Sequence, residues 1–173
     1  LTNLRAIFEN IGPLEYAEQP CATIEELREL KENLKIDIRI AGDEVLRNAS
    51  DPFAIDFTGA IDVLMLKVQP LGGIARAHKL AEHHNIPVVV SSALESAVGI
   101  NYGLILAASF EEMNFDCGLG TGSLLGANVA ELPIVKGEIA IADFEPDFDR
   151  YEVAPDRYEW WKNRVMKSAE LLK

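Results

Sequence analysis

Cysteine is scarce in this chain. Two residues, Cys21 and Cys117, among 173 are too few for a disulfide scaffold, and a reducing cytoplasm is the expected setting. Positive charge is also short: 16 Lys and Arg stand against 28 Asp and Glu, a net charge of −12. Nucleic acid would meet a repulsive field and is not expected as a partner. No basic opening followed by an apolar stretch reads as a secretion signal. Long hydrophobic runs are missing too. The most apolar window, residues 93–110, is broken by Glu95 and Asn101, so it falls short of a membrane span and is expected to be a buried helix. What remains, 49% hydrophobic and 25% charged residues, is the composition of an ordinary globular protein with one sizeable core.

Short apolar runs recur, each ending in a polar or glycine residue and each followed by residues at helical spacing. The runs are Leu14 to Ala17, Ile36 to Ile40, Val63 to Leu66, Pro87 to Val90 and Phe115 to Cys117. Their ends fall at Glu18, Asp43, Lys67, Ser92 and Gly118, steps of 25, 24, 25 and 26 residues. That regularity is a repeating strand-helix unit. Ile24-Leu27-Leu30-Leu34, behind the N-cap candidate Thr23, and Ile74-Ala77-Leu80-Ala81 each form one apolar helical face, and Leu4-Ile7-Phe8-Ile11 opens the chain in the same way. Asn48 to Ala60 is a weaker helix because of Pro52 and Gly59; Glu138 to Ile141 reads as a short strand and Asp156 to Leu172 as a terminal helix.

Strands alternating with helices demand parallel pairing with right-handed crossovers, hence an α/β class. The evenness of the unit favours a (β/α)8 barrel over an open doubly wound sheet. A closed barrel takes eight units in about 250 residues, and five are present here. The chain is therefore expected to be a C-terminal portion of a longer barrel.

In a barrel, side chains at strand C-termini converge on the mouth. Glu18 and Asp43 occupy equivalent places one unit apart, and paired carboxylates are what a hard divalent cation such as Mg²⁺ takes, together with water and substrate oxygens. An exposed loop acid is the plain alternative for Glu18. Lys67 ends a wholly apolar run, where an unpaired ammonium would be costly; the plain alternative there is a structural ion pair. Two carboxylates and a lysine on successive strand ends suit ionisation of a carboxylate substrate at its α-carbon, the arrangement of the enolase superfamily.

The segments Glu15-Tyr16-Ala17-Glu18-Gln19-Pro20-Cys21, Ile40-Ala41-Gly42-Asp43-Glu44, Leu66-Lys67-Val68-Gln69-Pro70-Leu71-Gly72-Gly73, Val90-Ser91-Ser92-Ala93-Leu94-Glu95-Ser96 and Gly118-Leu119-Gly120-Thr121-Gly122-Ser123-Leu124 resemble the o-succinylbenzoate synthase family of the enolase superfamily, in order and at the right intervals. The resemblance implies strands four to eight of a modified TIM-type barrel, with Glu18 and Asp43 as metal ligands for Mg²⁺ (Mn²⁺ as an alternative) and Lys67 as the catalytic lysine facing the substrate. Ser91, Ser92, Gly118, Gly120 and Thr121 are implied to bind a small-molecule carboxylate substrate, with the Ser91-Ser92 region facing its succinyl end. The family's first ligand aspartate, its lysine-x-lysine base and its capping domain have no counterpart here, so this chain alone is not expected to be a competent enzyme. Residues 1–130 are read as the partial barrel and 131–173 as an extension whose helix packs on the barrel or the capping domain. Two rivals stand: an N-acylamino acid racemase or dipeptide epimerase with Lys67 as second base, and a non-catalytic barrel fragment.

Other motifs are read as structural. Gly118, Gly120 and Gly122 lack the final glycine of a dinucleotide fingerprint and the lysine of a P-loop, and are taken as a tight turn. The backbone N–H groups after Glu95 offer a local anion site. His83 and His84 are expected to be solvated, and Cys21 and Cys117 to be buried packing residues.

Overall fold

The computed structural model describes residues 2–150 and 152–171. Four strands, β1 (Tyr16–Glu18), β2 (Arg39–Gly42), β3 (Val63–Leu66) and β4 (Val88–Val90), form one parallel sheet in sequence order. Helices alternate with them: α1 (Thr2–Ile11), α2 (Ile24–Asn33), α3 (Glu44–Arg47), α4 (Val68–Leu71), α5 (Ile74–His84), α6 (Ala97–Ala108) and α7 (Pro155–Glu170). The α/β class and the strand-helix unit expected from the spacing are what the chain adopts. Thr23 starts α2 with a capping box: its hydroxyl accepts from the Glu26 N–H at 3.2 Å and Glu26 accepts from the Thr23 N–H at 3.0 Å. The apolar face downstream buries Leu27 and Leu30. The 93–110 window contains α6, which buries Ala97, Ile100, Gly103 and Leu106.

Alternation along the strands divides the core in two. Ile40, Leu64, Leu66 and Val90 face the helices and join Leu27, Leu46, Leu80, Ile100 and Leu106 in one large cluster. Ala41, Val63, Met65 and Val89 face the opposite way and gather with Phe115 and Tyr16 in a second, smaller cluster. Tyr16 on β1 meets Phe115, which follows β4 and α6, edge to face at 5.6 Å between ring centroids. Residues from the two ends of a parallel sheet touch across its face only if the sheet is curled, as a barrel wall is.

Several expectations are corrected. Phe115 to Cys117 is not a regular strand. The fifth position beside β4 is marked by a single parallel bridge, Ser91 to Gly118, because pairing begins only where the Gly118 N–H reaches the Val90 carbonyl at 2.9 Å. Glu138 to Ile141 likewise forms no strand: Lys136 and Gly137 turn through positive φ, and the pairing stops at the Val135–Glu138 bridge. Within 48–60 the only helical piece is a 3₁₀ turn, Pro52–Ala54. His83 is exposed, as expected, while His84 is half-buried; both nevertheless place Nε2 2.8 Å from a backbone carbonyl, of Phe53 and Pro52 respectively, tying α5 to that turn. Cys21 and Cys117 are only half-buried. The terminal helix forms as α7, but none of its residues is buried, and Trp160 and Trp161 pack on each other at 4.8 Å. Leu172 lies outside the described residues. None of the described helices is long and apolar enough to cross a membrane.

Candidate active site

Strand parity positions the charged residues. Glu18 follows Tyr16 by two, Asp43 follows Ala41, Lys67 follows Met65 and Ser91 follows Val89, so all four share the inner face at the C-terminal strand ends. The register is consistent with this: Glu18 pairs with Ala41 and Leu66 with Val90.

At the centre, Lys67 Nζ donates to Asp43 Oδ2 at 2.6 Å. Asp43 is 1% exposed and Lys67 8%, so both charges have left water and each depends on the other. Arg47 Nε donates to the remaining oxygen, Asp43 Oδ1, at 3.2 Å, and its Nη2 reaches Glu44 Oε1 at 2.5 Å. From the end of β1, Gln19 Oε1 accepts the backbone N–H groups of Asp43 at 2.9 Å and Val45 at 3.3 Å. Sequence reasoning missed both Arg47 and Gln19. The Asp43-Glu44-x-x-Arg47 spacing was the only signal for the arginine, since it puts three charges on one helical turn; Gln19 had none.

Glu18 stands at the exposed edge beside this group. Partial desolvation raises its carboxyl above the ordinary value, Asp43 and Glu44 push the same way, and the cations of Lys67 and Arg47 oppose them. Glu18 is therefore electrostatically tied to the charges gathered around Asp43. As hard oxygen donors they fit a divalent cation in chemical type. They do not make a full cage: among the described residues no three His, Cys, Asp or Glu side chains gather to hold a metal.

The polar rim forms at the next two strand positions. Ser92 Oγ lies 2.5 Å from Thr121 Oγ1 and donates to the Gly118 carbonyl at 3.2 Å, with Ser91 Oγ 3.4 Å from the same carbonyl. A Cβ on Gly118 would fall 2.7 Å from Ser91 Oγ, so any side chain there would displace the Ser91 hydroxyl. Gly120 begins a 3₁₀ turn, Gly120–Leu124, and lines a cavity of about 410 Å³ with Ala97, Ile100, Asn128 and Ile134. Glu18, Asp43 and Lys67 are not on its walls; it lies behind the rim. The anion site expected after Glu95 is already taken in part, because Asn128 Oδ1 accepts the Ala97 N–H at 2.8 Å.

The model of the enolase C-terminal domain-like family matches residues 1–146. The chain belongs to that family. The o-succinylbenzoate synthase of Mycobacterium leprae is 50% identical over 166 residues, covering 93% of this chain and 49% of that protein. The o-succinylbenzoate synthase of Mycobacterium ulcerans is 48% identical over 165 residues, covering 93% of this chain and 50% of that protein. The chain thus spans about half the length of the curated relatives it matches. Among solved structures, a substrate-liganded L-Ala-D/L-Glu epimerase from Bacillus subtilis superposes with a TM-score of 0.57 at 27% identity, over 74% of this chain and 36% of that one. The resemblance to the synthases and the enolase-type fold read from the sequence both hold.

Proposed function

We propose that this chain supplies the strand-end carboxylates, the lysine and the polar rim of an o-succinylbenzoate synthase, a carbon-oxygen lyase of menaquinone biosynthesis in the cytoplasm. It would convert 2-succinyl-6-hydroxy-2,4-cyclohexadiene-1-carboxylate to o-succinylbenzoate by losing the proton α to the carboxylate together with the hydroxyl, released as water. The observation that carries this reading is the 50% identity to the M. leprae synthase across 93% of the chain. The chemistry of the strand ends supports it.

In this reading Glu18 and Asp43 hold Mg²⁺ or Mn²⁺, and the cation, when bound, supplies a Lewis acid toward the substrate carboxylate. Lys67 presents a fixed positive charge on the same inner face. As the α-proton leaves, negative charge grows on the carboxylate, and a preorganised ammonium in a water-poor site stabilises that charge more than it stabilises the ground state. Arg47 keeps Asp43 oriented beside the Lys67 ammonium. The hydroxyls of Ser91, Ser92 and Thr121, with the Gly118 and Gly120 backbone, orient the succinyl end. Residues 1–130 form the barrel part and 131–173 an extension to it.

The test is dehydration by the intact protein with Mg²⁺, followed as formation of the aromatic product. Turnover that stops on chelation and returns with Mg²⁺ or Mn²⁺ is expected. Exchange of the α-proton of an N-acylamino acid in D₂O without dehydration would overturn the synthase reading in favour of the epimerase chemistry for which the Bacillus relative is named.

A further inference from the structure

The loop joining β4 to α6 holds two features that the site does not explain. Leu94 adopts a left-handed backbone, φ 63°, a conformation unfavourable for a residue with a branched apolar side chain. The residue is 53% exposed, so burial of its apolar side chain does little to offset that cost. One residue later, Glu95 Oε1 is buried without a hydrogen-bond partner, alone in this among the side-chain atoms of the described residues. Buried polar atoms left unpaired are uncommon and call for a structural reason. The other oxygen, Oε2, accepts the Ala93 N–H at 2.7 Å, which closes the turn around Leu94. The Glu95 stem is wedged against α6: a Cβ on Gly99 would meet Glu95 Cβ at 2.4 Å, Glu95 Cγ at 2.7 Å and Gln69 Nε2 at 3.0 Å. Gln69, two residues after Lys67, donates to the Gly99 carbonyl at 3.2 Å. Glu95, Gly99 and Gln69 thus link the strand end that carries Lys67 to the one that carries Ser91 and Ser92.

We propose that Glu95 is a positioning residue: its carboxyl braces the strained turn at Leu94 and so holds Ser91 and Ser92 at the strand end next to that of Lys67, setting how well the substrate's far end binds. The role in catalysis rests on the synthase reading; the bracing does not. Its consequence is a split between binding and chemistry. Glu95 touches neither Lys67 nor Asp43, so its loss moves the serines and leaves the charged centre in place.

The experiment compares Glu95→Ala, Leu94→Asn and the double variant in the intact protein. Asparagine tolerates the left-handed region, so Leu94→Asn relieves the strain that Glu95 offsets. Glu95→Ala should raise KM roughly tenfold with kcat within about threefold, in keeping with displaced binding groups rather than lost transition-state contacts. Leu94→Asn alone should leave KM unchanged. In the double variant KM should return to within about threefold of the parent, a coupling that independent sites do not show. Amide hydrogen exchange at residues 91–96 gives the same comparison without turnover: faster in Glu95→Ala, restored in the double variant. If the exchange pattern appears but the protein dehydrates nothing, the synthase reading fails and the bracing stands. Should Glu95→Ala leave both KM and exchange unchanged, or should Leu94→Asn fail to restore them, the positioning role is overturned. If Glu95→Ala does not fold, Glu95→Gln, which keeps the acceptor for Ala93, is measured in its place. It should match the parent in KM, and a tenfold rise would count against bracing through Ala93.

Discussion

Leu66 and Lys67 are neighbours in sequence and belong to different parts of the molecule. Leu66 is fully buried in the large cluster between sheet and helices. Lys67 lies on the other face, above the small cluster of Ala41, Val63, Met65, Val89 and Phe115, with its charge held by Asp43 at 2.6 Å. The outer face carries most of the burial and hence most of the hydrophobic stabilisation. The inner face invests its strand ends in charges, whose burial is costly and whose pairing at best offsets that cost. Stability and chemistry have been divided between alternate residues of the same strand.

Substituting the two neighbours breaks the comparison if it is wrong. Leu66→Ala should lower the unfolding free energy by about 2–5 kcal/mol, because a leucine-sized cavity opens between sheet and helices. Equilibrium denaturation measures it, and turnover per folded molecule should be unaffected. Lys67→Ala should cost stability too, since Asp43 stays buried without its ammonium, but it should also reduce turnover per folded molecule about a hundredfold in the intact protein, a loss of roughly 2.7 kcal/mol in transition-state stabilisation. Lys67→Arg keeps a charge but misplaces it, and should retain part of the activity. Circular dichroism separates lost turnover from lost fold. A folded Lys67→Ala protein working at the parent rate would reduce the Lys67–Asp43 contact to a structural ion pair.

The same division explains what could be read from sequence. Outer-face residues announce themselves through period and capping: the Thr23 box and the Leu27-Leu30 face appear as expected because both are local. The inner site was legible only as a row of strand ends, Glu18, Asp43, Lys67 and Ser92, since regular spacing fixes where a chain returns to the mouth of a barrel; at the last of these strand parity gives the inner face to the neighbouring Ser91. The contacts that finish the site escaped this reading. Arg47 comes back onto Asp43 through a helix of four residues, too short for periodicity to reveal. Gln19 works across strands, through a backbone at φ 38°. That His83 and His84 bond backbone carbonyls was not legible, because only the fold brings the Pro52–Ala54 turn beneath them. For α7 the helical period was plain, yet Trp160 and Trp161, 45% and 49% exposed, make their ring contacts among the described residues with each other and the nearby Arg157 and Arg164. A helical pattern specifies a helix and says nothing of what its apolar side will meet.

The smallest expected effect sharpens the comparison at its edge, where Glu18 is neither buried like Asp43 nor freely solvated. Desolvation raises its carboxyl above the ordinary value, with Lys67 opposing. A carboxyl raised on folding binds its proton more tightly in the folded chain than in the unfolded one. Between the unfolded and folded values the folded state therefore carries more protons, and stability falls as pH rises through that window. The penalty is fully present above the folded value and is gone below the unfolded one. Glu18→Gln removes it, so the variant should melt slightly higher than the parent at neutral pH, by about a degree given how exposed the group is, and equally with the parent in acid. A cation bound at Glu18 and Asp43 would reverse the order, since Mg²⁺ stabilises a parent that binds it and not a variant lacking a ligand. The measurement is a pair of melting curves for each protein, with and without Mg²⁺, at neutral and acidic pH. If Glu18→Gln melts lower at neutral pH without Mg²⁺, then attraction to Lys67 outweighs desolvation, and Glu18 belongs with Asp43 to the paired charges of the inner face.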